Sequence, residues 1–242
     1  MTPEALPALP ATVPLMAESV LEVARASFVA HRAGTLYWPE EGLLVVADLH
    51  LEKGSSFAAR GVLLPPYDTA ATLARLGLAI ARYAPRLVIA LGDSFHDGGG
   101  PLRIGEPDRA TLAALQRGRD WIWIAGNHDP EPTTGVGGVS ATMLAIRALC
   151  FRHAPEAGAA EGEIAGHLHP MAHVRSRGCA VRRRCFASDG RRLVMPAFGA
   201  YAGGLNIRDQ AFAAVFGTLA FTAHVLGEAR LYAVAARRCL AD

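Results

Sequence analysis

Asp48 and His50, then Asp93, then Asn127 and His128, then His167 and His169 follow one another along the chain in ADLH, GDSFH, GNHD and GHLH. Each short motif ends an apolar run. Carboxylate, imidazole and amide donors delivered from successive strand ends build a site for two divalent ions, and such sites hydrolyse phosphate esters. Singly, the pieces say little, because a DxH pair or an Asn-His dipeptide is common in turns. His167 and His169 are more telling, since residues two apart on extended backbone point the same way. The full set, with a glycine before three of the four motifs to let backbone approach a ligand, reads as a site.

The residue types fit the chemistry. Carboxylates suit hard divalent ions and can bridge two of them, while imidazoles and an amide oxygen add ligands without the charge that would repel phosphate. Two ions ~3.5–4 Å apart would hold a hydroxide poised for in-line attack on phosphorus.

Elements that alternate strand and helix position these motifs. Thr35–Trp38 and Leu43–Ala47 read as strands joined by the turn Pro39–Gly42, and the second ends at Asp48. A polar loop from Glu52 to Pro66 leads to a helix near Asp68–Tyr83, with Asp68 or Thr69 as its cap. The strand Leu87–Leu91 delivers Asp93. A helix near Asp108–Arg117 and the strand Trp121–Ala125 deliver Asn127 and His128. This alternation predicts an α/β core. Strand-like pieces near Cys179–Ala187, Leu193–Met195 and Phe221–Ala235 predict a second sheet. Gly135–Gly138 and Ala154–Gly162 read as exposed loops near the site.

The chain has 242 residues, 51% of them hydrophobic, enough for one sizeable core. Residues 1–20 are expected to form an N-terminal arm and 21–242 a single domain. A net charge of +2 does not by itself announce a nucleic-acid binder. Lys53 is the only lysine. Cys150, Cys179, Cys185 and Cys239 show no metal-site spacing, so reduced thiols are expected. The opening MTPEALPALPATVPLM lacks a basic segment, and the apolar stretch Ala211–Val225 falls short of the ~20 residues of a membrane span. A soluble cytoplasmic protein without membrane partners is the expectation.

The motif order resembles the calcineurin-like metallophosphoesterase superfamily, whose pattern D-x-H, G-D-x-x, G-N-H-D/E, a lone H, then G-H-x-H is matched from Asp48 to His169. The resemblance implies a four-layer α/β/β/α sandwich. It also implies that Asp48, His50 and His169 bind one ion, that Asp93 bridges, and that Asn127, His167 and a lone histidine bind the second. His153 matches that histidine best, with His173 its competitor. His128 would lie beside the substrate as a general acid, helped by Asp129 or another acid.

GDSFHD places His96 and Asp97 where many phosphatases of the superfamily carry an aspartate. It looks instead like the GDxFH of double-strand-break-repair nucleases, so His96 and Asp97 join His128 as catalytic candidates. A helix-capping role for His96 is the alternative. ADLHLEKGSSFAARG (47–61), GDSFHD, AGNHDP, IAGHLHP and PAFGAYAGGLN (196–206) together resemble the PdeM family of bacterial ligase-associated DNA-damage-response endonucleases. That resemblance implies metal-dependent cleavage of DNA, single-stranded by expectation, alongside a DNA ligase and a helicase. It implies manganese, with iron, zinc or magnesium as alternatives.

Substrate contacts are expected from Lys53, Arg175 and Arg177. Arg182, Arg183, Arg184, Arg191 and Arg192 extend the basic cluster, which could hold a phosphate backbone or form a solvated face. Lys53 could equally be an ordinary surface lysine. Phe198 and Tyr201 could stack on a base or pack beneath their loop. Two rival functions stand beside the nuclease: a small-molecule or nucleotide phosphodiesterase or pyrophosphatase, and a metal-stabilised scaffold without catalysis.

Overall fold

The computed structural model describes residues 17–131, 135–158, 160–176, 178–217 and 219–242. β1 (Glu18–Val23), β2 (Ala26–His31), β3 (Leu36–Trp38) and β4 (Leu43–Ala47) form an antiparallel meander. From β4 the sheet continues in parallel through β5 (Leu87–Leu91), β6 (Asp120–Ile124) and β7 (Val139–Ala141). The expected arm over 1–20 lies outside the described residues as far as 16, and Glu18–Val20 already belong to β1. Leu21 and Val23 are buried while Glu22 is exposed, the alternation of a strand covered on one face.

The parallel register explains the two-sided burial. Val45, Ile89 and Ile122 are neighbours across β4, β5 and β6, as are Ala47, Leu91 and Ile124. These face the second sheet and join Leu149, Phe151, Ile164, Phe186 and Leu193 in the central core. The alternate residues Val46, Ala90 and Trp123 face helices. α1 (Lys53–Ala58) lies inside the stretch expected to be a polar loop; α2 (Asp68–Tyr83), α3 (Gly100–Arg103) and α4 (Glu106–Gln116) follow. α2 buries Leu73, Leu76, Ala79 and Ile80, which recur at helical spacing, against this face.

Asp68 and Thr69 do not cap α2, which begins after Tyr67 without a side-chain cap. Instead Asp68 accepts from the Gly54 amide at 3.1 Å and Thr69 from the Glu52 amide at 2.9 Å. The buried amides of the segment after His50 need acceptors, and these two side chains supply them.

The second sheet contains β8 (Met143–Ile146), β9 (Leu149–Arg152), β10 (Glu163–Ala165), β11 (Pro170–Ser176), β12 (Cys179–Ser188), β13 (Leu193–Val194) and β14 (Leu205–Asn206), in the order β14-β11-β12-β13-β10-β9-β8. α5 (Gln210–Phe216) covers its outer face, where Phe212 and Val215 pack with Ala172 and Ala223. β15 (Thr222–Leu226) and β16 (Leu231–Ala235) complete that sheet beside β12. The result is helices, sheet, sheet and helix, the expected α/β/β/α sandwich in a single domain. No helix among the described residues is long and apolar enough to cross a membrane.

Both loops expected beside the site belong elsewhere. The Gly137 carbonyl accepts from the Trp123 indole, and Gly138 lies against the Trp121 carbonyl at the start of β6. The described part of the second loop is held by Arg192, whose guanidinium donates to the Glu156 carbonyl at 2.7 Å and the Gly158 carbonyl at 2.5 Å and pairs with the equally buried Glu163. Arg192 is therefore no part of a phosphate-binding face. Arg192→Ala leaves the buried Glu163 carboxylate only the Glu156 amide at 2.9 Å and Arg152 at 3.7 Å, both on Oε1, and the expected cost is about 3 kcal/mol. Urea denaturation measures it directly, and a loss under about 1 kcal/mol, the value of an exposed pair, would contradict this role.

Candidate metal centre

The motif residues converge at the carboxyl ends of β4, β5, β6 and β10. Asp48 and His50 leave β4, Asp93 leaves β5, Asn127 and His128 leave β6, and His167 and His169 leave β10. His153 follows β9 directly. Parallel strands bring these ends to one edge, which is why residues over a hundred positions apart meet.

Two groups result. Ligand atoms of Asp48, His50 and His169 lie within 4.8 Å of one another, as do those of Asp93, His153 and His167. His50 Nε2 is 3.4 Å from His169 Nε2, and His169 Nε2 is 3.3 Å from Asp48 Oδ1. In the second group His153 Nε2 is 2.9 Å from Asn127 Oδ1, 3.1 Å from His167 Nδ1 and 3.4 Å from Asp93 Oδ2. Asp93 Oδ2 also lies 4.0 Å from His50 Nε2, so one carboxylate faces both groups. Of the two candidates for the lone histidine, His153 occupies the cluster. His173 instead faces the Asp242 carboxylate at 3.0 Å.

The donor set fits divalent ions. Two ligands each ~2.1 Å from one tetrahedral ion stand ~3.4 Å apart, the spacing found here. His153 Nδ1 donates to the Leu91 carbonyl at 3.0 Å, leaving Nε2 to meet an amide oxygen, a second imidazole and a carboxylate. A proton on Nε2 satisfies one of these; an ion satisfies all of them. The electrostatics agree. Burial opposes a charge on His153, but the hydrogen bond and charge of Asp93, with Asp48, push it up to about 9. Burial would raise Asp93, yet His153 and the His128 amide hold it at about 2. His50 is pushed down to about 3, first by burial and then by His169.

The backbone that presents these ligands is unusual. Asp48, His50, Asp93, His167 and His169 have φ of 52°, 43°, 45°, 68° and 44°, in the left-handed region that side chains avoid. Each such residue costs about 1–3 kcal/mol, a strain typical of ligand clamps. Backbone amides also aim the carboxylates: His167 N–H donates to Asp48 at 3.1 Å and His128 N–H to Asp93 at 2.9 Å. Two glycines are required by close approach. A Cβ on Gly126 would strike the Asp93 amide and carboxylate, and one on Gly92 (φ 69°) would sit 2.5 Å from His153 Cγ. Gly92→Ala is accordingly expected to displace His153 and lower the divalent metal bound per chain, with the fold retained. Metal analysis of the purified variant checks this, and an undiminished metal content would contradict it.

His128 stands at the mouth, 40% exposed. Its Nδ1 donates to the His96 carbonyl at 2.9 Å, which turns Nε2 toward Asp93 Oδ2, 4.0 Å away. His96 stacks on His128 with ring centres 5.1 Å apart, and its Nδ1 lies 3.5 Å from His50 Nδ1. Burial and then Lys53 push His96 down to about 4. Asp129, expected as a partner of His128, turns inward: it accepts from the Ser94 and Phe95 amides at 2.8 and 3.1 Å and from Gly126 at 3.1 Å. It ties the Asp93 and Asn127 loops together, and burial pushes it up to about 6. Asp97 is likewise not at the centre, being paired with Arg103 at 2.8 Å.

The basic residues divide. Lys53 donates to the Tyr201 carbonyl at 3.0 Å and, with Phe57, Leu64, Pro65 and Tyr201, lines an open cavity of about 490 Å³. Phe57, which lies inside the 47–61 motif without itself being an expected site residue, is 5.5 Å from the His96 ring and joins this cavity to the centre. Phe198 is fully buried under Arg75. Arg184 binds the carbonyls of Ala197, Gly199 and Ala202, so it shapes the Pro196–Asn206 loop from beneath. Arg175 stands six residues down β11 from His169, ~20 Å at strand rise, and lines a separate cavity with Arg183 and Tyr232. The hairpin of β11 and β12 exists, but it carries this arginine away from the metal centre. Arg177 lies outside the described residues.

A family model described as calcineurin-like phosphoesterase matches residues 43–176, more than half of the chain. The chain belongs to that family. The matched span contains every candidate ligand, from Asp48 to His169. As a calcineurin-like phosphoesterase the protein is a metal-dependent hydrolase of phosphoric esters, and its Asp and His clusters can hold divalent ions. Among solved structures, the nuclease MPE of Pseudomonas putida shares the calcineurin-like phosphoesterase chain's fold with a TM-score of 0.68 and 22% identity, over 90% of this chain and 100% of that one. No curated protein matches the sequence.

Proposed function

We propose that the protein is a two-ion phosphodiesterase that cleaves single-stranded DNA, acting as an endonuclease of the ligase-associated repair group. The observation that carries this reading is the position of the Lys53–Phe57–Tyr201 cavity. It opens beside His96 and His128, at the mouth of two ligand groups that share Asp93. A cation and aromatic faces next to a phosphoryl site suit a phosphate flanked by a nucleobase. The neighbour of the same fold is itself a nuclease.

In this reading Asp48, His50 and His169 hold one ion, Asn127, His153 and His167 hold the other, and Asp93 serves both. Bound divalent ions, manganese by preference, polarise phosphoryl oxygens and lower the pKa of water at the site. His128, fixed through Nδ1 on the His96 carbonyl, presents Nε2 to the departing sugar oxygen and gives it a proton. His96, uncharged at neutral pH, orients the phosphate through a ring nitrogen, and Lys53 offsets charge on the next phosphate. Association with a ligase and a helicase belongs to the same proposal and awaits a binding assay.

The test is manganese-dependent hydrolysis of a circular single-stranded DNA beside bis-p-nitrophenyl phosphate, with His128→Ala as control. Cleavage of the circle by the wild type alone supports the proposal, because a circle offers no end. Hydrolysis of the small diester with the circle intact would replace it with the small-substrate reading. Metal binding without hydrolysis of either would leave the scaffold.

A further inference from the structure

Between α1 and α2 the chain runs through GVLLPPY (61–67), a stretch without a charged side chain. Val62, Leu63 and Tyr67 are 49%, 87% and 68% exposed, so three large apolar side chains stand in water within one short loop. Single apolar residues at a surface are ordinary, whereas a contiguous run marks a place that something covers. The loop is also held in shape. The Val62 amide donates to the Phe57 carbonyl at 3.0 Å, the Tyr67 amide to the Pro65 carbonyl at 2.9 Å, and the Tyr201 hydroxyl to that same carbonyl at 3.0 Å. Pro65 and Pro66 fix their own φ, so the run is a preformed surface.

Its place indicates what covers it. Leu64 and Pro65 line the cavity that they share with Lys53, Phe57 and Tyr201, and the Phe57 ring leads to His96 and from there to His128. The Arg60 guanidinium stands 4.6 Å from the centre of the Phe57 ring, and Lys53 Nζ stands 5.9 Å from it. Apolar and aromatic faces interleaved with cations match an unpaired nucleic-acid strand, which offers base faces to the one and phosphates to the other. A duplex matches poorly. Its base faces are stacked out of reach and its outside is phosphate and sugar, which would leave the apolar run uncovered.

We infer that residues 62–67 form the strand-selecting lip of the site, packing on the faces of unpaired bases beside the scissile phosphate and so restricting cleavage to unpaired strands. The inference rests on the reading of the metal centre as a DNA diesterase.

Full-length protein with manganese is assayed on a linear single strand, on that strand annealed to its complement, and on the single strand with abasic nucleotides flanking the cleavage site. The wild type is expected to cleave the free strand in preference to the duplex. In Leu63→Ser/Leu64→Ser the KM for the free strand is expected to rise ~10-fold, the contribution of about one stacked base, while kcat changes less than ~3-fold. The preference for free strand over duplex is expected to fall by the same factor. Leu63→Met/Leu64→Met, which keeps the apolar surface, is expected to hold the wild-type KM. The abasic strand is expected to raise the wild-type KM ~10-fold and that of Leu63→Ser/Leu64→Ser no further, because the missing bases and the missing side chains belong to one contact. Leu63→Ser alone changes only a side chain already in water, so its rise in KM is read without loss of packing. An unchanged KM in both serine variants, which would leave the lip to a protein partner, or additive losses for variant and abasic strand, would overturn the inference. A wild type that hydrolyses bis-p-nitrophenyl phosphate but no DNA would overturn the reading of the centre, and the inference with it.

Discussion

Asp93→Asn is expected to purify as a folded protein and to lose hydrolysis by more than ~10³-fold, which is about 4 kcal/mol of barrier. The size follows from position. Asp93 is 2% exposed, and its Oδ2 lies 3.4 Å from His153 Nε2 and 4.0 Å from His50 Nε2, so a single oxygen faces both ligand groups. An asparagine fills the same volume and can still accept the 2.9 Å bond from the His128 amide, so the loop is expected to stay in place. What it lacks is the negative charge. In the proposed reading both ions would then lose a shared ligand, and bound divalent metal per chain is expected to fall along with activity. Wild-type activity with two bound ions in Asp93→Asn would remove this carboxylate from the mechanism.

His128→Ala is expected to separate metal binding from chemistry. The side chain faces the centre through Nε2 but lies 4.0 Å from Asp93 Oδ2 and is 40% exposed at the mouth. Its removal is expected to leave both ions bound while lowering DNA cleavage by ~10²–10⁴-fold, the usual range for a general acid. The leaving group gives a sharper readout. A sugar oxygen needs a proton as it departs, whereas p-nitrophenolate does not, so the loss on bis-p-nitrophenyl phosphate is expected to be much smaller. Equal losses on both substrates would point to electrostatic stabilisation of the phosphoryl group in place of proton donation.

The motifs made most of the centre legible because metal chemistry restricts residue types and the strand-end glycines restrict their neighbours. Gly92 and Gly126 lie against His153 and Asp93, so the spacing of GDSFH and GNHD encodes contact as well as order. The continuous apolar runs at β4, β5 and β6 were equally legible, since strands covered on both faces leave no polar alternation to confuse. Where partners come from far along the chain, local pattern was silent. Asp129 and Asp97 look like acids of a catalytic site, yet one meets amides of Ser94 and Phe95 and the other Arg103. Arg192 and Arg184 look like part of a basic face, yet buried carbonyls claim both. α1 was hidden in a polar stretch because Lys53–Ala58 has no apolar periodicity; the Glu52 side chain, bonded to Ser55 Oγ at 2.7 Å and Thr69 Oγ1 at 2.9 Å, organises its start. The left-handed backbone of Asp48, His50, Asp93, His167 and His169 leaves only a faint trace in residue type, since aspartate and histidine adopt it more readily than most side chains but still uncommonly.

Seven side chains are expected to hold two ions through a shared Asp93, and anomalous diffraction from manganese-soaked crystals would locate those ions. Two peaks ~3.5–4 Å apart are predicted. One is expected among Asp48, His50 and His169, the other among Asn127, His153 and His167, with Asp93 between them. A single peak, or a peak held by His50, His96 and His128, the third group whose ligand atoms lie within 4.8 Å of one another, would contradict the account.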